Sequence, residues 1–326
     1  MVVGLSSVLP ETPVVPALLD GAAWRIGSAT LTGLLLEVCS HPKPGLVTPR
    51  SMGAHEDMDV RTFMLSSAAI APCLYQCAAL GRAHRGAPVR LLSAVRAVGR
   101  EHDAALLAAT NGVNTQRGAL FCAGLLAAAA GCVSRATDAL SADDVLRTVG
   151  EITEGLCERE LRRNAGEPRT AGEILFRRHG TLGIRGEVEA GFPSVVDCGL
   201  PALRTALAAG HGLDRALVHA LVALIAISED TTVMWRGGPE ALDFVRAEAR
   251  HVMDLGGALT PEGVAAIHRL DEACIARRIS PGGSADLLSV TVGTHLLEHP
   301  AFPQTATRGF CLDGDRHHPK PDGDRR

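Results

Sequence analysis

Residues 213–229 read LDRALVHALVALIAISE, and only Asp214, Arg215, His219, Ser228 and Glu229 interrupt the apolar run. A helix that is apolar on nearly every face must be buried on nearly every face, so this segment predicts the central core helix of a helical protein. Outward from it, apolar residues recur at helical spacing along most of the 326-residue chain. Helices are expected near 21–39, 60–83, 89–109, 117–131, 141–158, 170–178, 199–209, 213–229, 239–254, 261–278 and 284–298. Gly81 and Gly86 are read as stops for the second helix, Gly131 for the fourth and Gly210 for the helix ahead of 213–229. Ser141, with Asp144 three residues on, opens the fifth as a variant capping box. Aromatic residues make up only 3% of the chain, and no stretch alternates long enough to demand a strand. The expectation is an all-α fold: one large multi-helix domain over 19–298 whose ligand-binding loops converge on one pocket. Residues 1–18 read as a flexible lead-in, and 299–326, where Pro, Gly and charge replace periodicity, as a disordered tail with its His317–His318 pair solvated.

Composition narrows the function classes. With 46% hydrophobic and 21% charged residues a large core is available, and general disorder is excluded. A net charge of −4 offers no basic footprint for nucleic acid. The nine cysteines are scattered without a CxxC pair, so they read as small buried hydrophobes in a reducing compartment. Cys73 and Cys77 share one helix face, without a second pair at metal-ligand spacing. The N-terminus lacks a basic n-region, and the longest uncharged stretch, Gly118–Ser134, falls short of the roughly 20 apolar residues of a membrane span. A cytoplasmic protein with neither nucleic-acid nor membrane partners is expected.

Chemistry concentrates in the joins between helices. These are HPKPGLV (41–47) with GAHEDMD (53–59), TNGVNTQRG (110–118), GIRGEVEAGFP (183–193), EDTTVMWRGG (229–238) and SPGGSADLL (280–288). Asp57 and Asp59 lie two apart, so in a turn both carboxylates reach one Mg²⁺; alternatively Asp59 simply caps the next helix. His55 fits a structural hydrogen bond better than a catalytic role. Asn111 and Asn114 tolerate left-handed backbone, and Arg117 enters a helix start where free N–H groups attract anions, although a tight connector explains the glycines equally well. Gly282 and Gly283 permit close backbone approach and Ser284 is placed to cap the helix that follows, which together suit a phosphate cradle. Asp286 is either a metal carboxylate or a partner for the helix dipole. Arg185 and Arg236 sit beside glycines, where a guanidinium meets phosphate or pairs with an acid; Glu187 is Arg185's partner or a proton acceptor. Asp230 is the exposed end of 213–229 or a buried ligand facing Asp57. Low aromatic content suggests that ligand capture leans on phosphate and metal contacts more than on stacking.

Taken in order, PKPGLV, GAHxDMD, ATxGVNTxxG, GxRGExxxGFP, DTxxxxRGG and SPGGSADLL resemble the triphosphoribosyl-dephospho-coenzyme A synthases, over about Glu37 to Leu297. The resemblance implies an all-α transferase that moves the triphosphoribosyl group of ATP onto 3′-dephospho-CoA and releases adenine. The product is the prosthetic-group precursor for the acyl carrier subunit of malonate decarboxylase or citrate lyase, attached by a holo-transferase. On this reading Asp57, Asp59, Asp230 and Asp286 hold Mg²⁺ on the triphosphate, and Lys43, Arg117, Arg185 and Arg236 neutralise phosphates. His55, Asn114 and the Gly282–Gly283–Ser284 turn bind substrate, and Asp57 or Glu187 is the base. Two positions depart from the family pattern: Gln116 replaces the usual His, which removes a possible proton carrier, and Asp103 replaces a Glu. Thr48–Pro49 after PKPGLV leans towards the malonate decarboxylase branch. Rival readings are a Mg²⁺-dependent all-α ADP-ribosyl hydrolase and a non-catalytic helical scaffold.

Overall fold

A computed structural model describes residues 20–163 and 166–302. The 1–18 lead-in, the tail from 303 onward, Cys311 and His317–His318 lie outside the described residues. Twelve α-helices and no strand occur among those described, in the all-α architecture expected. They are α1 (Gly21–Cys39), α2 (Val60–Ala83), α3 (Leu92–Ala109), α4 (Arg117–Val133), α5 (Ala142–Thr153) and α6 (Ala171–His179). The remainder are α7 (Gly183–Glu189), α8 (Leu200–Ala208), α9 (Leu213–Ile225), α10 (Thr231–Asp254), α11 (Pro261–Ala276) and α12 (Gly282–Glu298).

Several starts are fixed by a side chain that accepts an orphan amide, as at Asp20, Ser141, Thr170 and Thr260. α9 is buried continuously from Ala216 to Ile225, as its apolar faces require. The middle of the bundle, however, belongs to α12, which packs against α1, α4, α5, α8, α9 and α10. Its Ser289 and Thr291 hydroxyls donate to the carbonyls of Ala285 and Leu287 at 3.2 and 2.8 Å, so these polar residues enter the core already satisfied. That is why α12 looks less like a core helix than α9 does, although it is the more central of the two.

Gly81 and Gly131 are not helix stops. Both lie inside helices at the α2–α4 crossing, where an added Cβ on Gly81 would overlap the Ala128 carbonyl and one on Gly131 the Ala78 carbonyl. Gly210, at φ 79° just past α8, is a true left-handed terminator. Gly81→Ala is therefore expected to force the two helices apart and cost about 1–3 kcal/mol, read as a lowered midpoint in a denaturant titration; an unchanged midpoint would contradict so close a crossing. Of the described helices only α2 combines the length and apolarity of a membrane span, yet it contains Pro72 and packs against α1, α3 and α4. The Cys73 and Cys77 sulfurs lie 3.8 Å apart on its buried face, and every described cysteine is a free thiol.

Candidate active site

One cavity of about 540 Å³ opens where the start of α4, α7, the start of α10, the start of α12 and the 41–58 segment meet. Eleven of the residues singled out line it: Lys43, His55, Asp57, Asn114, Arg117 and Glu187, with Asp230, Arg236, Gly282, Gly283 and Asp286. Residues as distant in sequence as Lys43 and Asp286 thus converge because most of these blocks lie at or near a helix end.

Asp230 organises two walls. It is the buried N-cap of α10, accepting from the Thr232 and Val233 amides at 2.9 and 3.2 Å through Oδ1. Its Oδ2 accepts from the Ser284 amide at 2.8 Å and the Ser284 hydroxyl at 2.9 Å. Those four donors fill the roughly four lone-pair positions a carboxylate has. Burial pushes the carboxyl up, and the hydrogen bonds oppose that shift. Two expectations are corrected here. Asp230 braces the site rather than holding a metal, because its acceptor capacity is used. The Gly282–Ser284 turn closes on this internal carboxylate, an added Cβ on Gly283 standing 3.1 Å from it, while Gly282 and Gly283 still line the cavity. Ser284 does not cap α12, which begins two residues earlier, and it lies behind the cavity wall.

For Asp59 and Arg185 the structural alternatives hold. Asp59 caps α2 in a reciprocal box with Thr62 and stands outside the cavity lining, apart from Asp57. Arg185 points away on α7, pairing with Glu160 at 3.0 Å and Glu173 at 3.6 Å, so its charge is spent on structure. Lys43 faces the cavity but is itself buried, donating to the Glu37 carbonyl at 2.8 Å and its carboxylate at 2.5 Å. That internal pair leaves little charge over for a phosphate.

Two arginines remain at the rim. Arg117 is held by Asp103 through parallel bonds of 2.5 and 2.7 Å, so the shorter acid at this position still anchors the guanidinium. Arg236 has no carboxylate within ion-pair distance among the described residues; its guanidinium meets His55 Nδ1 at 3.2 Å. Burial and the Arg236 charge push His55 below the ordinary imidazole range, against a smaller opposing pull from Asp57. With Arg236 donating to Nδ1, the neutral ring carries its proton on Nε2 and donates to Ser280 Oγ at 2.9 Å. His55 therefore orients Arg236 and the start of the SPGG segment.

Glu187 is half-buried on α7, with Oε1 accepting from the Ser194 hydroxyl at 2.5 Å and Oε2 from the Ser194 amide at 3.2 Å. Burial pushes its carboxyl up, helped by the nearby charges of Glu229 and Asp197 and opposed by the Ser194 bonds. Asp286, in the first turn of α12, sits against the start of α4, where an added Cβ on Gly118 would overlap its carboxylate. It is part-buried in the cavity wall and has no cationic partner among the described residues. Burial, with Asp230 and Glu37 nearby, pushes it well above the ordinary carboxylate range. Gln116 is buried, bonding Ser67 Oγ at 3.1 Å and the Phe63 carbonyl at 3.4 Å, so it ties the start of α4 to α2.

Among the lining residues that the sequence does not single out are Glu37, Glu229 and Trp235. The last two stand within the quoted EDTTVMWRGG block and were signalled by it; Glu37 carried no signal beyond its place before PKPGLV. Counted together, six carboxylates and three cations line the cavity, a formal excess of three negative charges. A separate cluster, His295, Glu298 and His299, lies at the far end of α12, where Glu298 is already bonded by Arg204 and the Ala142 amide.

A family model described as ATP:dephospho-CoA triphosphoribosyl transferase matches residues 23–303. The "Probable 2-(5''-triphosphoribosyl)-3'-dephosphocoenzyme-A synthase" of Malonomonas rubra is 41% identical over 305 residues, 92% of this chain and 96% of that protein. The 2-(5''-triphosphoribosyl)-3'-dephosphocoenzyme-A synthases of Pectobacterium atrosepticum and Klebsiella pneumoniae are 42% and 39% identical, covering 79% and 83% of this chain and 84% and 90% of their own lengths. No solved structure matches.

Proposed function

The chain belongs to the ATP:dephospho-CoA triphosphoribosyl transferase family, and from that membership we propose how its cavity carries the transfer. It is a transferase that moves the triphosphoribosyl group of ATP to 3′-dephospho-CoA and releases adenine. The acceptor hydroxyl bonds to the ribose C1′ as the bond from C1′ to the adenine nitrogen breaks, through a state with oxocarbenium character. Glu187 takes the hydroxyl proton: it faces the cavity, Ser194 fixes its orientation, and its raised pKa makes it a better base than an ordinary carboxylate. Arg236 and Arg117 receive phosphate oxygens at the rim, and Asn114 offers a neutral donor beside them.

The observation that carries this reading is the excess of carboxylates in a site that must accept a polyanion. Arg236, with Arg117 already held by Asp103, does not offset both the lining acids and a triphosphate. A divalent cation resolves the conflict, and Mg²⁺ takes one or two carboxylates with phosphate oxygens and water completing its shell. Asp57, Asp286 and the previously unassigned Glu229 face the cavity without a Lys or Arg partner, and these residues would hold it. When bound, the ion neutralises triphosphate charge and fixes the donor's orientation. Removal of divalent ions with a chelator is expected to abolish adenine release, and added Mg²⁺ to restore it; full activity in chelator would overturn this part. The carrier subunit served downstream is assigned to the malonate decarboxylase type on Thr48–Pro49, and a cytoplasmic setting accords with the free thiols of all described cysteines.

A further inference from the structure

We propose that Trp235 is a stacking platform for a purine base, so that the adenine ring of a substrate lies against its indole at the cavity wall; this rests on the transferase reading above. The chain has two tryptophans. Trp24 is stacked on Tyr75 with ring centroids 4.8 Å apart, away from the cavity. Trp235 lines the cavity, is 54% exposed, and has no aromatic partner among the described residues. An indole left this open in a chain with 3% aromatic residues exposes a broad apolar face to water at the one place where a planar ligand enters. Every nucleobase has a π-face to offer it, and such stacking tolerates either purine orientation.

The backbone supports the assignment. Trp235 stands between the Asp230 cap and the Gly238 kink (φ 75°), with Val233 and Met234 buried beside it. The carboxylate that fixes the start of α12 thus also fixes the indole. The next residue, Arg236, is the rim cation without a carboxylate partner, so base and phosphates of one nucleotide meet consecutive residues.

Both ATP and dephospho-CoA carry adenine, and the experiment separates them. In full-length protein with Trp24→Phe, Trp235 is the sole indole, and its fluorescence is titrated with ATP, with dephospho-CoA and with inorganic tripolyphosphate. Saturable quenching by one or both adenine ligands and none by tripolyphosphate is expected. In steady-state assays Trp235→Ala should raise KM for the stacked substrate about 5–150-fold, leave kcat within a few-fold, and recover most of the affinity as Trp235→Phe. Which KM moves identifies which adenine stacks. Silent fluorescence with both adenine ligands, or unchanged KM values in Trp235→Ala, would overturn the proposal. The two readings fail separately: no adenine release by the wild-type protein removes the reaction but not a quenched indole, and normal release with a silent indole removes the platform alone.

Discussion

Glu187→Gln is expected to lower the rate of triphosphoribosyl transfer, read as adenine release, about 10²–10⁴-fold, the range typical for loss of a positioned acid–base group. Gln keeps the size of the side chain and its carbonyl still accepts from Ser194, so the fold should be retained; what it cannot do is accept the acceptor's proton. The pH dependence gives a second readout. Burial raises the Glu187 pKa, so its protonated, inactive form persists to higher pH than for an ordinary carboxylate. Activity should therefore fall as pH drops through that raised value, and the acid limb should vanish from the residual activity of Glu187→Gln. Wild-type rates in the variant would exclude Glu187 as the base and return the role to Asp57.

Asp230→Ala should damage both stability and activity. The substitution strands the amides of Thr232, Val233 and Ser284 in a buried or part-buried setting and leaves the Ser284 hydroxyl only Ser228 Oγ as partner. Leaving buried donors unsatisfied costs about 1–3 kcal/mol each, less whatever water recovers, so a loss of about 3 kcal/mol or more is expected. Because one carboxylate sets the starts of α10 and α12, Trp235, Arg236 and Asp286 should all shift, and transfer should be lost even below the melting transition. Asp230→Asn is the informative control: its carbonyl keeps the α10 cap, while its amide faces the Ser284 N–H donor to donor. It should fall between wild type and Asp230→Ala in a denaturant titration. If Asp230→Ala unfolds at the wild-type midpoint, the brace assigned to this residue is wrong.

Much of the fold was legible because helix periodicity and caps are local properties. α1, α2 and α11 start where their spacing places them, Asp59 caps α2, and Ser141 and Gly210 act as read. α7 was hidden because GIRGEVEAGFP is dense in glycine, and it is only seven residues long. The start of α10 reads as loop because Gly237, Gly238 and Pro239 punctuate it, whereas the chain kinks there and remains helical on both sides. The blocks that build the site stood out for their Gly, Asp and Arg content. Pairing was not legible. Nothing local says that Arg185 turns to Glu160 and Glu173, that Asp230 occupies the SPGG turn, or that Lys43 is already matched by Glu37. Each of these pairings depends on which helix ends meet, and so on the packing of the whole bundle.

The most direct test of the account is the mass of what the purified protein makes from ATP, dephospho-CoA and Mg²⁺. The account predicts free adenine in one-to-one proportion with dephospho-CoA that has gained a triphosphoribosyl group. Adenine released with dephospho-CoA unmodified and the triphosphoribose left in solution would make the protein a hydrolase and contradict it, as would no adenine at all from folded protein.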